Sequence, residues 1–161
     1  MEIKIRPQKV EDAQRFFEIL NNDNFSFFDT RVDSLEDEIK YIESLKDNKY
    51  QINFTVLKDD KVVGGAGIKL DYHRSFIGEI GYVIEEKYWG QGIAPKVVEL
   101  IEEYVIKNTK LKRLEIIIDV NHIASQKVAL KAGYEKEGVL KNSLKCFGKY
   151  KDGILYAKIL E

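Results

Sequence analysis

Tyr88-Trp89-Gly90-Gln91-Gly92-Ile93-Ala94-Pro95 is a glycine loop caught between two regular elements. A strand-like run, Glu79-Ile80-Gly81-Tyr82-Val83-Ile84, precedes it, and a helical run from Lys96 to Lys107 follows. A helix N-terminus carries unpaired N–H groups and the positive end of the helix dipole. Glycines there let a phosphate approach the backbone closely. Pro95 costs little in the first turn, where its missing N–H had no intrahelical partner. The bland alternative is a tight turn that needs flexible residues, and the flanking strand and helix argue against it. The loop is no P-loop, which needs Gly-x-x-x-x-Gly-Lys-Ser/Thr. Nor is it a dinucleotide fingerprint, because the third glycine and the later ribose-binding acid are missing.

The chain has 161 residues, enough for one domain over 1–161 with a sizeable core. Its 44% hydrophobic and 33% charged content is that of a soluble globular protein. A net charge of -1 argues against broad binding to nucleic acid or an anionic membrane. No apolar run approaches a membrane span, and the N-terminus reads as a strand rather than a signal peptide. The single cysteine, Cys146, permits no internal disulfide, so a reducing cytoplasm is the expected home. Residues 1–50 hold 8 basic and 12 acidic side chains. That excess either attracts a cationic amine or is simply a solvated helix surface.

Ile3 and Ile5 alternate with polar residues as a strand does, and Pro7 ends the run. Ala13–Leu20 has helical spacing and is stopped by Asn21-Asn22-Asp23. The three aromatics Phe25, Phe27 and Phe28 follow in a polar loop, where they either plug a core edge or line a substrate pocket. Ser34-Leu35-Glu36-Asp37 resembles a capping box and opens a helix with Leu35, Ile39, Ile42 and Leu45 on one face. Strands are expected from Gln51 to Leu57 and from Val62 to Leu70, joined by a turn at Lys58-Asp59-Asp60-Lys61. Gly64, Gly65 and Gly67 inside the second of these suggest a bulge or close packing. Arg113–Asp119 is a β-branched strand, Ile123–Ala132 a short helix with Gly133 as its C-cap. Gly138–Phe147 and Tyr150–Leu160 form a last strand pair that offers a surface for homodimer formation.

The glycine loop resembles the acetyl-coenzyme A loop of the GNAT superfamily of N-acetyltransferases, written Arg/Gln-x-x-Gly-x-Gly/Ala. Gly92 and Ala94 match its last two fixed positions, and Trp89 takes the place of the leading Arg or Gln. Tyr-Trp-Gly-x-Gly-x-Ala is how the RimJ/RimL-like branch commonly writes the loop. His122-Ile123-Ala124-Ser125, Lys131-Ala132-Gly133-Tyr134 and Glu137-Gly138 resemble that branch's second signature, with His122 where its asparagine is expected and Asn121 beside it. The element order is also that of the GNAT fold. The resemblance therefore implies an α/β (α+β) architecture, a mixed central sheet of about seven strands flanked by about four helices.

It implies further that acetyl-coenzyme A is the cosubstrate, with no metal, and that a primary amine attacks the thioester directly. The amine is a protein N-terminus, a polyamine or a small amine metabolite. Such a reaction needs a deprotonated amine, stabilisation of the oxyanion and departure of the thiolate. Glu79 matches the strand glutamate that acts as base in several GNAT enzymes, although a solvated strand carboxylate is the simpler reading. Backbone N–H groups near Val83 and Ile84 are expected to meet the thioester carbonyl, and Trp89, Gly90, Gln91, Gly92, Ile93 and Ala94 to bind the coenzyme. Asn121 stands in for the asparagine that meets the pantetheine arm. The tyrosine acid of many relatives is replaced by Ala129. Ser125 is the substitute, for coenzyme contact as well as proton transfer, unless its hydroxyl is merely bonded to helix backbone. Tyr134 is a further option in a position that usually holds a core aromatic. Phe27 and Phe28 would line the amine site. His73, His122 and Cys146 share no metal spacing, and no base near Cys146 is visible that would make it an acyl carrier. The rival function is a non-catalytic acyl-coenzyme A binding module, against which the presence of Glu79 leans. A longer acyl donor is the third reading.

Overall fold

A computed structural model of the chain describes residues 1–22 and 32–161. Seven strands form one sheet in the order β1-β2-β3-β4-β5-β7-β6. They are β1 (Ile3–Pro7), β2 (Gln51–Lys58), β3 (Lys61–Leu70), β4 (Ile77–Ile84), β5 (Arg113–Asp119), β6 (Glu135–Cys146) and β7 (Lys149–Ile159). The helices are α1 (Ala13–Leu20), α2 (Leu35–Ser44), α3 (Ile93–Asn108) and α4 (Ile123–Lys131). β1 to β4 form an antiparallel meander, β4 and β5 run parallel, and β5, β7 and β6 are antiparallel again.

Tight local chemistry makes the meander. Asp59 and Asp60, both at positive φ, form the two-residue turn between β2 and β3. The expected bulge lies beside Gly64, where the β2–β3 register slips between Val56 and Leu57. Close packing accounts for the glycines too: a Cβ on Gly64 would lie 2.1 Å from the Val83 carbonyl oxygen.

α3 covers one face of the sheet, burying Ile93, Val97, Val98, Ile101 and Val105 against Val56, Ile68, Ile80 and Ile84. Each such side chain contributes about 1.5–3 kcal/mol of burial. α1 and α2 lie on the opposite face over a much smaller core of Ala13, Phe16 and Ile42. An internal ion pair stiffens that side: Arg6 reaches both carboxylate oxygens of buried Asp12 at 2.7 Å, and the Thr55 hydroxyl donates to it at 2.7 Å.

α1 occupies the predicted span. Ser34 caps α2 by accepting from the Asp37 N–H at 3.1 Å. α3 begins at Ile93 rather than Lys96, so Pro95 is its third residue. β6 begins at Glu135, ahead of the expected Gly138, because its pairing with β7 runs back to Glu135–Ala157.

Candidate active site

β4 and β5 pair only at Ile77–Arg113, Gly78–Leu114 and Glu79–Glu115. Beyond that point β4 continues along β3 to Ile84 and β5 continues along β7 to Asp119. The two strands therefore part, and the inner edge of each is left without a strand partner. Glu79 stands at the fork. The ladder's phase says which backbone groups face the gap. Glu85 donates to the Val63 carbonyl at 2.8 Å and the Ile77 carbonyl accepts from Asp71 at 3.1 Å, so odd-numbered residues of β4 are directed at β3. The Phe76 carbonyl accepts from Lys112 on the other side at 2.8 Å. The gap thus receives the N–H groups of Tyr82 and Ile84. Val83, expected in that role, turns its N–H to β3. Ladder phase depends on pairing, which no single strand's composition reveals.

The glycine loop closes the far end of the gap. The Trp89 indole N–H donates to the Ile84 carbonyl at 2.7 Å and ties the loop to the edge of β4. Gln91 turns outward, its Oε1 accepting from Lys58 at 2.5 Å. Gly90 and Gly92 adopt φ values of +72° and +75°, a region that strains L side chains. A Cβ at either would have no protein atom within 4 Å, so the backbone is bare to an approaching ligand. Gly92 is the N-cap of α3 and offers no side chain to its first N–H groups. Next to it lies a cavity of about 490 Å³ lined by Gly92, Lys96, Lys131 and Lys158 and also by Glu99 and Glu102, which pair with Lys96 and Lys158 at 2.9 Å each. Bare N–H groups, a positive dipole end and Lys131, which makes no ion pair among the described residues, fit a phosphate-bearing ligand.

The other end opens into a pocket of about 270 Å³ between the sheet and helices α1 and α2. Its floor is glycine: Gly65 faces Val83, and Gly67 faces Gly81, across the β3–β4 ladder. The Gly81 position has open space where a Cβ would stand. Glu79 lines this pocket. Burial first, then the charge of Glu115, raise its carboxyl above the ordinary value, while Lys69 opposes them. Glu115 is itself held by Arg113 at 2.8 Å.

A second carboxylate lines the pocket, unforeseen from sequence. Glu38, in the first turn of α2, is 2% exposed, and burial raises its carboxyl. It has no hydrogen-bond or ion-pair partner among the described residues. A signal existed: Glu38 sits three residues after Leu35 and four before Ile42, on the apolar stripe. Because its folded pKa is raised, its contribution to stability is full at low pH and is lost as pH rises through the raised value. Glu38→Gln is therefore expected to raise Tm at pH 8, by about 2–4 °C for each kcal/mol relieved, and to change it much less at pH 4. Calorimetric melts at the two pH values check this, and a lower Tm at pH 8 would contradict the unpaired state.

Ser125 is buried on α4, and its Oγ lies 2.6 Å from the Tyr82 hydroxyl of β4. This bond ties β4 to α4, so Ser125 is engaged by a side chain rather than by helix backbone as its simpler reading had it. Burial pushes the Tyr82 phenol up, so it keeps its proton. Asn121 lies exposed in the turn between β5 and α4. Tyr134 is buried in the core behind α3. Cys146 is buried at the end of β6. Phe27 and Phe28 lie outside the described residues. No group of three metal-ligating side chains occurs among the described residues.

This arrangement of parted strands, uncapped helix and carboxylate at the fork is matched by sequence. Residues 2–135 match the family model described as acetyltransferase (GNAT) domain, and the chain belongs to that family. It is an acyl-coenzyme A-dependent N-acetyltransferase, with acetyl-coenzyme A as cosubstrate. It is 30% identical to the probable N-acetyltransferase YjcK of Bacillus subtilis, across 93% of this chain and 90% of that one. It is 29% identical to the ribosomal-protein-serine acetyltransferase of Escherichia coli, across 81% of this chain and 74% of that one. Among solved structures, RimJ of Mycobacterium smegmatis in complex with coenzyme A disulfide superposes with a TM-score of 0.89 at 21% identity, covering 98% of this chain and 81% of that one.

Proposed function

We propose that the parted edge of β4 holds the reacting centre, with the coenzyme on one side and a primary amine in the 270 Å³ pocket on the other. The observation that carries this is the position of Glu79. It lines the pocket and stands where β4 and β5 separate.

Acetyl-coenzyme A, when bound, supplies the acetyl group as a thioester with a thiol leaving group of pKa about 8.5. The residues of the chain do the rest. Ile93 and Ala94 donate uncapped N–H groups to the pyrophosphate, while Gly90 and Gly92 keep the approach clear. Trp89 and Gln91 fix the loop through Ile84 and Lys58. Lys96 and Lys131 meet the outer phosphates. Tyr82 and Ile84 aim backbone N–H groups at the negative charge that develops on the carbonyl oxygen. Glu79 takes the proton of the incoming amine, and its raised pKa brings it nearer the working pH of a general base. The Tyr82–Ser125 hydrogen bond keeps a proton beside the leaving sulfur, and Asn121 contacts the pantetheine arm.

Thiol release from acetyl-coenzyme A across a panel of amines tests the reaction. Gly81→Val tests the location. The position carries no positive-φ strain, valine favours strands and its side chain would enter the open cleft. Tm is expected to hold or rise while kcat/KM for the amine falls by about 10²-fold, the scale set by misplacing a reactant by 1 Å. Full activity in a folded Gly81→Val protein would put the amine elsewhere.

A further inference from the structure

The pocket beneath α1 and α2 holds more acceptor capacity than one reacting amine needs. Glu79 accounts for the amine that attacks. Glu38 faces the same cavity, almost wholly buried and unpaired among the described residues. Gln8, at the end of β1, adds a shielded Oε1 that accepts no hydrogen bond. Two of the amide donors that line the wall are already used: Gln51 Nε2 donates to the Tyr41 hydroxyl at 2.9 Å and to Asn53 Oδ1 at 3.1 Å, and Asn53 Nδ2 donates to Tyr41 at 3.4 Å. Lys69 is the one cation among the described lining residues, and it is exposed and paired in register with Glu79.

A buried carboxylate and a buried amide oxygen without donors are costly to keep. Each is relieved by a ligand that brings charged N–H groups. That ligand group cannot be the nitrogen that reacts, because the reacting nitrogen must give up its proton at Glu79 before it attacks. The cation that Glu38 holds stays charged through the reaction. It therefore belongs to a second nitrogen on the same molecule.

We propose that this acetyltransferase selects substrates with a second, non-reacting ammonium group, held by Glu38 and Gln8 Oε1, so that short alkyl diamines are preferred to monoamines of equal length. The proposal rests on the amine occupying this pocket. Glu38 is then a specificity-determining residue and Glu79 the base. Atoms balance simply: one amine nitrogen gains the acetyl group and loses a proton, while the other keeps all its protons and its charge.

The test pairs 1,4-diaminobutane with butylamine on the native protein and on Glu38→Gln and Gln8→Leu. The diamine is expected to show a kcat/KM about 10- to 100-fold above butylamine, the span of a hydrogen bond to a charged group. Glu38→Gln should bring the ratio close to one by lowering the diamine value, with the acetyl-coenzyme A KM unmoved. Gln8→Leu should narrow the ratio in the same direction by less. Calorimetry of both amines with coenzyme A already bound reads the same preference without any transfer. Equal use of both amines overturns the proposal, as does stronger use of a peptide α-amine than of the diamine. A Glu38→Gln protein that loses both amines alike overturns it too, since that marks a structural role. If the diamine binds through Glu38 but no acetyl group moves, the proposed reaction fails while this inference stands. If both amines are acetylated at one rate, the inference fails alone.

Discussion

Glu79→Gln is expected to lower kcat at pH 7 by about 10²- to 10⁴-fold, the usual contribution of a positioned base, and to leave coenzyme affinity within twofold. The amide keeps the shape of the side chain and removes its ability to take a proton. A protein α-amine has a pKa of about 8 and a lysine-type amine about 10.4, so reaching the free base at pH 7 costs about 1.4 kcal/mol in the first case and nearly 5 in the second. The variant's loss is correspondingly larger for an alkyl diamine than for a peptide N-terminus, and raising the pH recovers rate as solvent takes over the deprotonation. With Glu79 as the proposed base, the acid limb of the native enzyme's pH profile is expected to follow its carboxyl. The carboxylate must be ionised to act, and burial and Glu115 raise its pKa against the opposing charge of Lys69. Activity is therefore lost as pH falls through that raised value, and this limb disappears in the variant. Stability runs the other way. A carboxyl whose folded pKa is raised contributes most at low pH and loses that contribution as pH rises, so Glu79→Gln should not lower Tm at pH 7. Stopped-flow acetylation across pH 5–9 together with a thermal melt checks both. Full activity at pH 7 would move the base to Glu115 or to a water chain.

The features legible in the chain alone were those whose causes are local. Ser34 caps α2 because a hydroxyl three residues before the Asp37 N–H satisfies one orphan donor. Gly133 ends α4 because its φ of +86° is open to glycine. The Asp59-Asp60 turn and the order of helices and strands are of the same kind. The glycine loop was legible because its residues, its strand and its helix are contiguous. The pocket was not, because its walls come from α1, α2, β2, β3 and β4. Gly65 and Gly67 suggest a bulge or close packing from sequence, and packing holds for both: a Cβ on Gly65 would meet Phe16 at 2.7 Å and one on Gly67 would meet Asn53 Oδ1 at 2.8 Å. Their second effect, an empty floor opposite Gly81, exists only once β3 and β4 are in register. Tyr82 rather than Val83 turns its N–H to the gap for a similar reason, since a one-residue change of phase reverses the edge a backbone group faces. Glu38 differs from these: its place on an apolar helical stripe was visible, and a carboxylate there asks for a partner.

Gly92→Val is expected to abolish measurable coenzyme binding, a loss of at least about 10²-fold, equivalent to roughly 2.7 kcal/mol. Two effects act together. The side chain would occupy the space above the first N–H groups of α3, where nothing of the protein lies within 4 Å. A β-branched residue also cannot hold φ near +75° without strain, which costs about 1–3 kcal/mol and displaces the N-cap that aims those groups. The left-handed backbone at Gly92 adds a loss of Tm of several degrees. Gly92→Ala separates the two. It shares the positive-φ penalty, with a smaller side chain above the helix end, so its Tm should fall in a similar direction while coenzyme binding is weakened less than in Gly92→Val. Calorimetric titration with coenzyme A on both variants, below their melting temperatures, measures the difference. Steric exclusion requires Gly92→Val to bind far worse than Gly92→Ala. Equal losses in both would assign the effect to backbone strain alone, and unchanged affinity in Gly92→Val would remove the glycine loop from the coenzyme site. Lys131→Ala supplies the electrostatic counterpart. Lys131 lines the cavity beside Gly92 and makes no ion pair among the described residues, so its removal should weaken coenzyme binding with a salt dependence that neither glycine variant shows.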